Sequence, residues 1–145
     1  MHSGNFFSDY WGLAKFAAVG ILDNRWPVTL CFGIFFVITT LMNDPFGQSR
    51  VGARKAWLLA PLIFPLAILA VGVCFAAPAG EFRGDFVWQS WTVYLLFLLH
   101  VVTGVWFIYR LRGLRWFASS VILIQLWFSS MCASASLIVI LNVFI

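Results

Sequence analysis

The apolar residues of this chain lie in four long runs that short polar segments separate. The runs cover about residues 26–42, 56–77, 87–109 and 116–145. A helix of about 20 apolar residues crosses the hydrocarbon core of a bilayer, and backbone groups in lipid must bond within their own segment. Because the runs are apolar on every side and do not alternate, the pattern predicts four transmembrane helices and not the strands of a barrel.

Composition indicates that residues 1–145 form one polytopic membrane domain. Apolar residues make up 63% of the chain, aromatic residues 19% and charged residues 10%, whereas about a quarter of the residues of soluble domains are charged. A soluble core of this length could not bury so many large apolar side chains. We therefore predict an all-α integral membrane protein.

Charge in the loops predicts how the helices are arranged. Two loops, 43–55 and 110–115, carry three basic residues each, whereas loop 78–86 has one basic residue against two acidic ones. Lys and Arg near spans stay on the cytoplasmic side, so both basic loops should face the cytoplasm. The helices then form two antiparallel hairpins, and both termini lie outside, in the periplasm if the membrane is a bacterial inner membrane. Since the basic residues flank spans, no nucleic-acid partner is expected.

Residues 6–22 allow two interpretations. A helix there places Lys15 and small or polar residues near one stripe, as in a helix that lies in the outer interface. As a fifth span it would hold Lys15 near the middle of the bilayer, at a cost of about 2.5–3.5 kcal/mol. We therefore expect an interfacial segment over residues 1–25.

Two prolines, Pro61 and Pro65, lie in the second apolar run. Each removes a backbone N–H that a helix would use, so the second helix should kink or unwind locally in its cytoplasmic half. A bend that serves packing is the simpler interpretation, and a kink that opens a ligand pocket is the alternative.

A single histidine, His100, lies in the middle of the third run. In a hairpin centred between residues 112 and 113 it is level with Gln125, roughly 18 Å from the cytoplasmic end at about 1.5 Å per residue. One interpretation is a neutral imidazole that makes an interhelical hydrogen bond and fixes helix packing. Its predicted partners are Gln125, Thr103 and a serine of a neighbouring helix such as Ser129.

The other interpretation makes His100 a ligand of a cofactor metal, the iron of haem b or the magnesium of a chlorophyll, held in an aromatic pocket. The stretch HVVTGVWF resembles the haem-binding helices of membrane cytochrome b anchors, in which a small residue one turn after the histidine, here Gly104, leaves room for the porphyrin. The resemblance covers eight residues and implies a haem-binding helix. His2 is the other histidine of the chain, so a haem with two histidine ligands would take one from another chain. A quinone contact and a place in a partner's site are further alternatives.

Small residues cluster in the fourth run between residues 129 and 136. Small side chains let membrane helices approach closely, so this stretch predicts a packing surface. The residues predicted to form helix contacts are Gly104, Ser130, Ala133 and Ser134. The surface could meet another helix of this chain or a helix of a partner.

The spans carry no recognisable catalytic or metal-binding set. All five carboxylates lie in the N-terminal segment or in predicted loops, and the three cysteines share no metal-ligand spacing. We therefore expect no catalytic residue, no metal site and no autonomous enzyme activity. The expected function is that of a non-catalytic accessory subunit of a bacterial energy-converting complex, respiratory or photosynthetic, with other integral membrane subunits and membrane lipids as partners. The alternatives are a haem- or chlorophyll-binding subunit that uses His100, and a small oligomeric channel or carrier.

Overall fold

The computed structural model describes residues 6–23, 25–43, 57–77, 88–111 and 114–141, and within these ranges the regular structure is entirely helical. The elements are α1 (Phe6–Asp23), α2 (Trp26–Asn43), a 3₁₀ helix (Trp57–Leu62) that continues into α3 (Ile63–Cys74), α4 (Trp88–Arg110) and α5 (Arg115–Leu141). The prediction of an all-α chain is confirmed for this part of the molecule.

Three segments are long and apolar enough to cross a membrane: Trp57–Cys74, Trp88–Arg110 and Arg115–Leu141. A fourth span is obtained if α1 and α2, whose axes differ by 83°, count together as one broken span. The structure is therefore that of a chain with three to four candidate membrane spans. The arrangement as two hairpins and the orientation remain predictions. The predicted loop 43–55, apart from Asn43, and the predicted loop 78–86 lie outside the described residues.

The N-terminal helix α1 packs one face onto the bundle. Leu13 and Ala17 are buried with residues of α3 and α5 in the larger of two apolar clusters, and the Tyr10 hydroxyl donates to the carbonyl of Leu66 at 3.3 Å. The other face is exposed and includes Lys15, whose Nζ lies 5.8 Å from the centroid of the Trp11 ring. Lys15 is therefore not enclosed by the helices of this chain. An interfacial position for α1 requires this exposure.

The last helix, α5, is the central element and packs against every other described helix. Its buried side chains follow the spacing of three and four residues that marks one face of a helix, and many of them are small. Along that face they are Ala118, Ile122, Gln125, Ser129, Cys132, Ser136 and Ile140. Small side chains on this face allow the surrounding helices to approach it closely.

The packing surface predicted on α5 is shifted in phase. Ser134 is exposed, and its Oγ donates to the carbonyl of Ser130 at 2.9 Å, within the same helix. Ser130 and Ala133 are half-buried, and the fully buried small residues are their neighbours Ser129 and Cys132. Ser134 is therefore not buried against another helix within the described part of the chain, and its contact with a helix of a partner stays a prediction, because a run of small residues does not indicate which of its members face the bundle.

Two glycines permit the closest approaches between helices. A Cβ atom at Gly104 of α4 would lie 2.6 Å from Cγ2 of Ile122. At Gly72 of α3 it would lie 2.8 Å from Cβ of Ser136 and 3.0 Å from Cδ2 of Leu13. A larger residue at either position requires the contacted side chains to move, so these glycines suit the close contacts that they make.

Gly72→Ala should lower the temperature at which the full chain unfolds in detergent. The added methyl group overlaps Ser136 and Leu13, and overpacking costs about 1–3 kcal/mol, of which better helix propensity returns about 1 kcal/mol. Gly33→Ala is the matched control, because a Cβ there meets nothing within 4 Å, and it should leave the unfolding temperature unchanged or raise it. Equal shifts in the two variants would contradict the close contact at Gly72.

Candidate functional site

Two prolines remove backbone N–H donors from the helix of the second apolar run. Pro61 lies within the 3₁₀ helix and Pro65 in the first turn of α3, and both are buried. In a 3₁₀ helix the carbonyl of Leu58 would accept from the N–H of the third residue along the chain. That residue is Pro61, which has no N–H. The carbonyl of Leu58 is therefore left without its helical donor.

Gln125 of α5 supplies the missing donor. Its Nε2 lies 2.7 Å from the carbonyl oxygen of Leu58, and the exposed fractions of the two residues are 4% and 3%. Water cannot compete for either group at this depth, so the bond retains more of its strength than an exposed one. The bond joins the 3₁₀ helix to α5 across 67 positions of sequence.

The register of α4 and α5 places His100 at nearly the same depth as Gln125. The contact between Gly104 and Ile122 and a common rise of about 1.5 Å per residue bring His100 level with residue 126, between Gln125 and Ser129. The side chain of His100 is 0% exposed. Its ring stacks on Phe64 of α3, with 5.3 Å between centroids and 16° between planes.

The hydrogen bonds predicted for His100 are not formed in the structure. Neither Nδ1 nor Nε2 has a hydrogen-bond partner among the described residues, and the same holds for Oε1 of Gln125 and Oγ of Ser129. The amide of Gln125 is instead engaged by Leu58, and Thr103 is half-buried one turn along α4. The bond from Gln125 Nε2 satisfies the buried carbonyl of Leu58, whose helical donor is missing at Pro61.

His100, Gln125 and Ser129, which carry these unpaired atoms, lie at one depth that we call the interior polar level. Buried polar atoms without partners are few in folded proteins, and each costs about 1–3 kcal/mol. The level lies inside the bundle, between the aromatic ring of Phe64 and the small-residue face of α5. Packing against Phe64 holds His100 of α4, and the hydrogen bond to the Leu58 carbonyl holds Gln125 of α5.

The residues around His100 do not fit haem b or a chlorophyll. Both ring nitrogens are inaccessible to water, and Phe64 covers one face of the imidazole. The space beside Gly104, which the resemblance to cytochrome b anchors would reserve for a porphyrin, is filled by Ile122. An axial histidine needs a nitrogen that faces the macrocycle. Across the described ranges, no group of three or more His, Cys, Asp or Glu residues is placed to hold a metal ion.

A second polar contact, which the sequence analysis missed, ties α2 to α5. The hydroxyl of Thr39 donates to Oγ of Ser120 at 2.8 Å, and Ser120 donates in turn to the carbonyl of Phe117 at 2.8 Å. Farther along, the indole N–H of Trp127 donates to Oγ1 of Thr29 at 3.2 Å. Thr39 lies in the first apolar run and Ser120 in the fourth, but nothing in the sequence indicates that the two side chains contact each other.

A cleft opens at the end of the bundle where the 3₁₀ helix begins and α4 ends, which we call the basic end because Arg110 and Arg115 lie there. Its volume is about 730 Å³, and its lining residues are Trp57, Trp106, Phe107, Arg110 and Leu111. The guanidinium carbon of Arg110 lies 5.2 Å from the centroid of the Trp106 ring. Phe107 is buried and belongs to the smaller apolar cluster. The cleft thus combines an apolar lining with one positive charge.

Comparison of the chain with protein-family models, with curated proteins and with solved structures gave no match. The function is therefore argued from the residues and contacts of this chain.

The pairing of Pro61 with Gln125 predicts a thermodynamic coupling. Gln125→Leu should destabilise the full chain by about 1 kcal/mol, because it leaves the buried Leu58 carbonyl without a donor. In the background of Pro61→Ala the same change should cost less, since the new backbone N–H can serve that carbonyl. Unfolding of the four proteins in detergent provides the double-mutant cycle, and additive losses would show that the two sites are independent.

His100→Leu should leave the unfolding temperature unchanged or raise it. The substitution removes two buried polar atoms that have no partner, and replacing such atoms by apolar ones of similar size is neutral or stabilising. Gln125→Leu, measured under the same conditions, serves as the comparison in which a formed hydrogen bond is lost. A loss above about 2 kcal/mol in His100→Leu would mean that the imidazole has a partner.

Proposed function

We propose that this chain is a non-catalytic accessory subunit of a larger membrane protein complex. The observation that carries the proposal is a contrast between glycines. Gly72 and Gly104 are filled by neighbouring helices, whereas a Cβ at Gly12, Gly20 or Gly33 would meet nothing within 4 Å in the described part of the chain. Small residues on a membrane helix let another helix approach. The open glycines of α1 and α2 therefore suit contact with helices of another protein.

The exposed face of α1 supports the same assignment. It carries Asp9 and Lys15 beside Trp11 and Phe16. Charged side chains near lipid are costly unless they reach the headgroups or a partner. An assembly with other integral membrane subunits would supply partners for them.

The outward face of α4 differs and suits contact with lipid. Its exposed residues include a stripe that recurs every three or four positions and whose members are all large. The stripe consists of Trp88, Trp91, Leu95, Leu98, Val102, Val105 and Tyr109. No small residue interrupts this stripe, so it offers no notch for another helix backbone. We accordingly assign the partner contacts to α1 and α2 and the lipid contact to α4.

As part of the same proposal, the parent complex is a bacterial energy-converting one, respiratory or photosynthetic, in the cytoplasmic membrane. The aromatic content of 19% and the enclosed His100 support it. Since Lys and Arg beside spans stay on the cytoplasmic side, the basic end faces the cytoplasm and, with four spans, both termini face the periplasm.

Purification of the tagged full chain from its native membrane in mild detergent should recover larger integral membrane proteins at fixed stoichiometry, identified by mass spectrometry. Gly33→Leu should reduce their recovery at least about tenfold, because a buried helix contact is lost, while the unfolding temperature of the chain itself is kept. Leu98→Phe, on the lipid face of α4, is the control and should leave recovery unchanged.

Two outcomes would overturn this proposal. One is a folded, monodisperse chain that no other protein accompanies. The other is the same recovery of partners with Gly33→Leu as with Leu98→Phe.

A further inference from the structure

We infer that the cleft at the basic end is a binding site for one anionic phospholipid, which Arg110 holds through the lipid phosphate. The inference is independent of the proposed protein partners, because it concerns a different surface of the molecule. It rests on the shape of the cleft, the placement of Arg110 among its described lining residues and the exposed apolar residues deeper along the same segments.

Two exposed indoles border the cleft, and they come from different elements. Trp57 is the first residue of the 3₁₀ helix, and Trp106 lies one turn before the end of α4. Indole rings favour the headgroup level of a membrane, where the ring contacts apolar groups and the N–H finds an acceptor. The glycerol and ester region of a phospholipid lies at that level and provides such acceptors.

The cation of the cleft lies close to an aromatic ring. The guanidinium carbon of Arg110 is 5.2 Å from the centroid of the Trp106 ring. A guanidinium attracted to a ring still has N–H groups for hydrogen bonds to another acceptor. Two parallel N–H groups match the oxygens of a phosphate, which makes arginine suited to bidentate binding. In the described part of the chain the carboxylates belong to α1, so no carboxylate of that part competes for Arg110 at this end.

Exposed apolar side chains are also present deeper along the two segments that border the cleft. Ile63 of α3 and Val102 of α4 lie deeper than Trp57 and Trp106 and are 66% and 57% exposed. The cleft thus has a cation at its outer rim and bare aliphatic side chains below it. This order matches a phospholipid, whose charged phosphate precedes its acyl chains. A free anion would meet Arg110 but would leave the aliphatic surface uncovered.

A neighbouring arginine provides a matched control. The guanidinium carbon of Arg115 lies 6.0 Å from the centroid of the Tyr109 ring. Arg115 thus resembles Arg110 in charge, exposure and aromatic neighbour, and both lie at the basic end, but Arg115 does not line the cleft. General attraction between a basic surface and anionic lipid would treat the two residues alike, whereas a built site distinguishes them.

The test titrates the detergent-solubilised full chain with phosphatidylglycerol and, separately, with phosphatidylcholine, and counts bound lipid by native mass spectrometry. We expect the anionic lipid to bind at least about fivefold more tightly, which is the contribution of one positive side chain near an anionic headgroup. Arg110→Gln should abolish this preference, and Arg115→Gln should keep it. Unfolding temperatures of both variants should match that of the unaltered chain, since both arginines are exposed.

Three results would overturn the inference. The preference could survive in Arg110→Gln, or it could fall equally in Arg115→Gln. Alternatively, inorganic phosphate added at constant ionic strength could displace the bound phosphatidylglycerol, which would make the cleft a site for free anions.

Discussion

The carbonyl of Leu58 has lost its helical donor to Pro61, and the interior of a membrane offers no water in its place. The bond from Gln125 meets that requirement, and much of the arrangement depends on it. It holds the 3₁₀ helix against α5, and it places Trp57, the neighbour of Leu58, beside the end of α4. The cleft at the basic end exists because these two elements meet there. A proline that weakens one helix thereby determines where that helix contacts the next.

In contrast to the carbonyl of Leu58, the buried imidazole of His100 is left without a hydrogen bond among the described residues. His100 is fully enclosed, yet neither of its nitrogens is paired among the described residues. Stacking on Phe64 offsets some of this cost, since aromatic pairs contribute about 0.5–1.5 kcal/mol beyond area burial. Leucine at the same position would carry no such penalty. The presence of histidine is therefore not explained by the stability of the isolated chain, and departures of this kind are concentrated at sites that serve function or assembly.

The length of the apolar runs predicts the positions of the long helices to within a few residues. Residues 87–109 and 116–145 were predicted, and α4 and α5 occupy Trp88–Arg110 and Arg115–Leu141. Counting from the loop also placed His100 level with Gln125, and the contact of Gly104 with Ile122 agrees with that register within about one residue. Apolar length and helical rise determine both results, and both can be read from one chain segment at a time.

Side-chain pairing could not be read in this way. The acceptor for Gln125 is a backbone carbonyl on another helix, and its availability depends on a proline three residues further along. The small residues of α5 predict a packing surface but not which neighbour each residue meets: Ser129 and Ser136 face helices of this chain, whereas Ser134 is exposed. The buried face of α5 is filled by helices of its own chain, whereas a Cβ at Gly12, Gly20 or Gly33 would meet nothing within 4 Å among the described residues. This contrast between the packed α5 and the open glycines of α1 and α2 is the basis on which we propose contact with another protein.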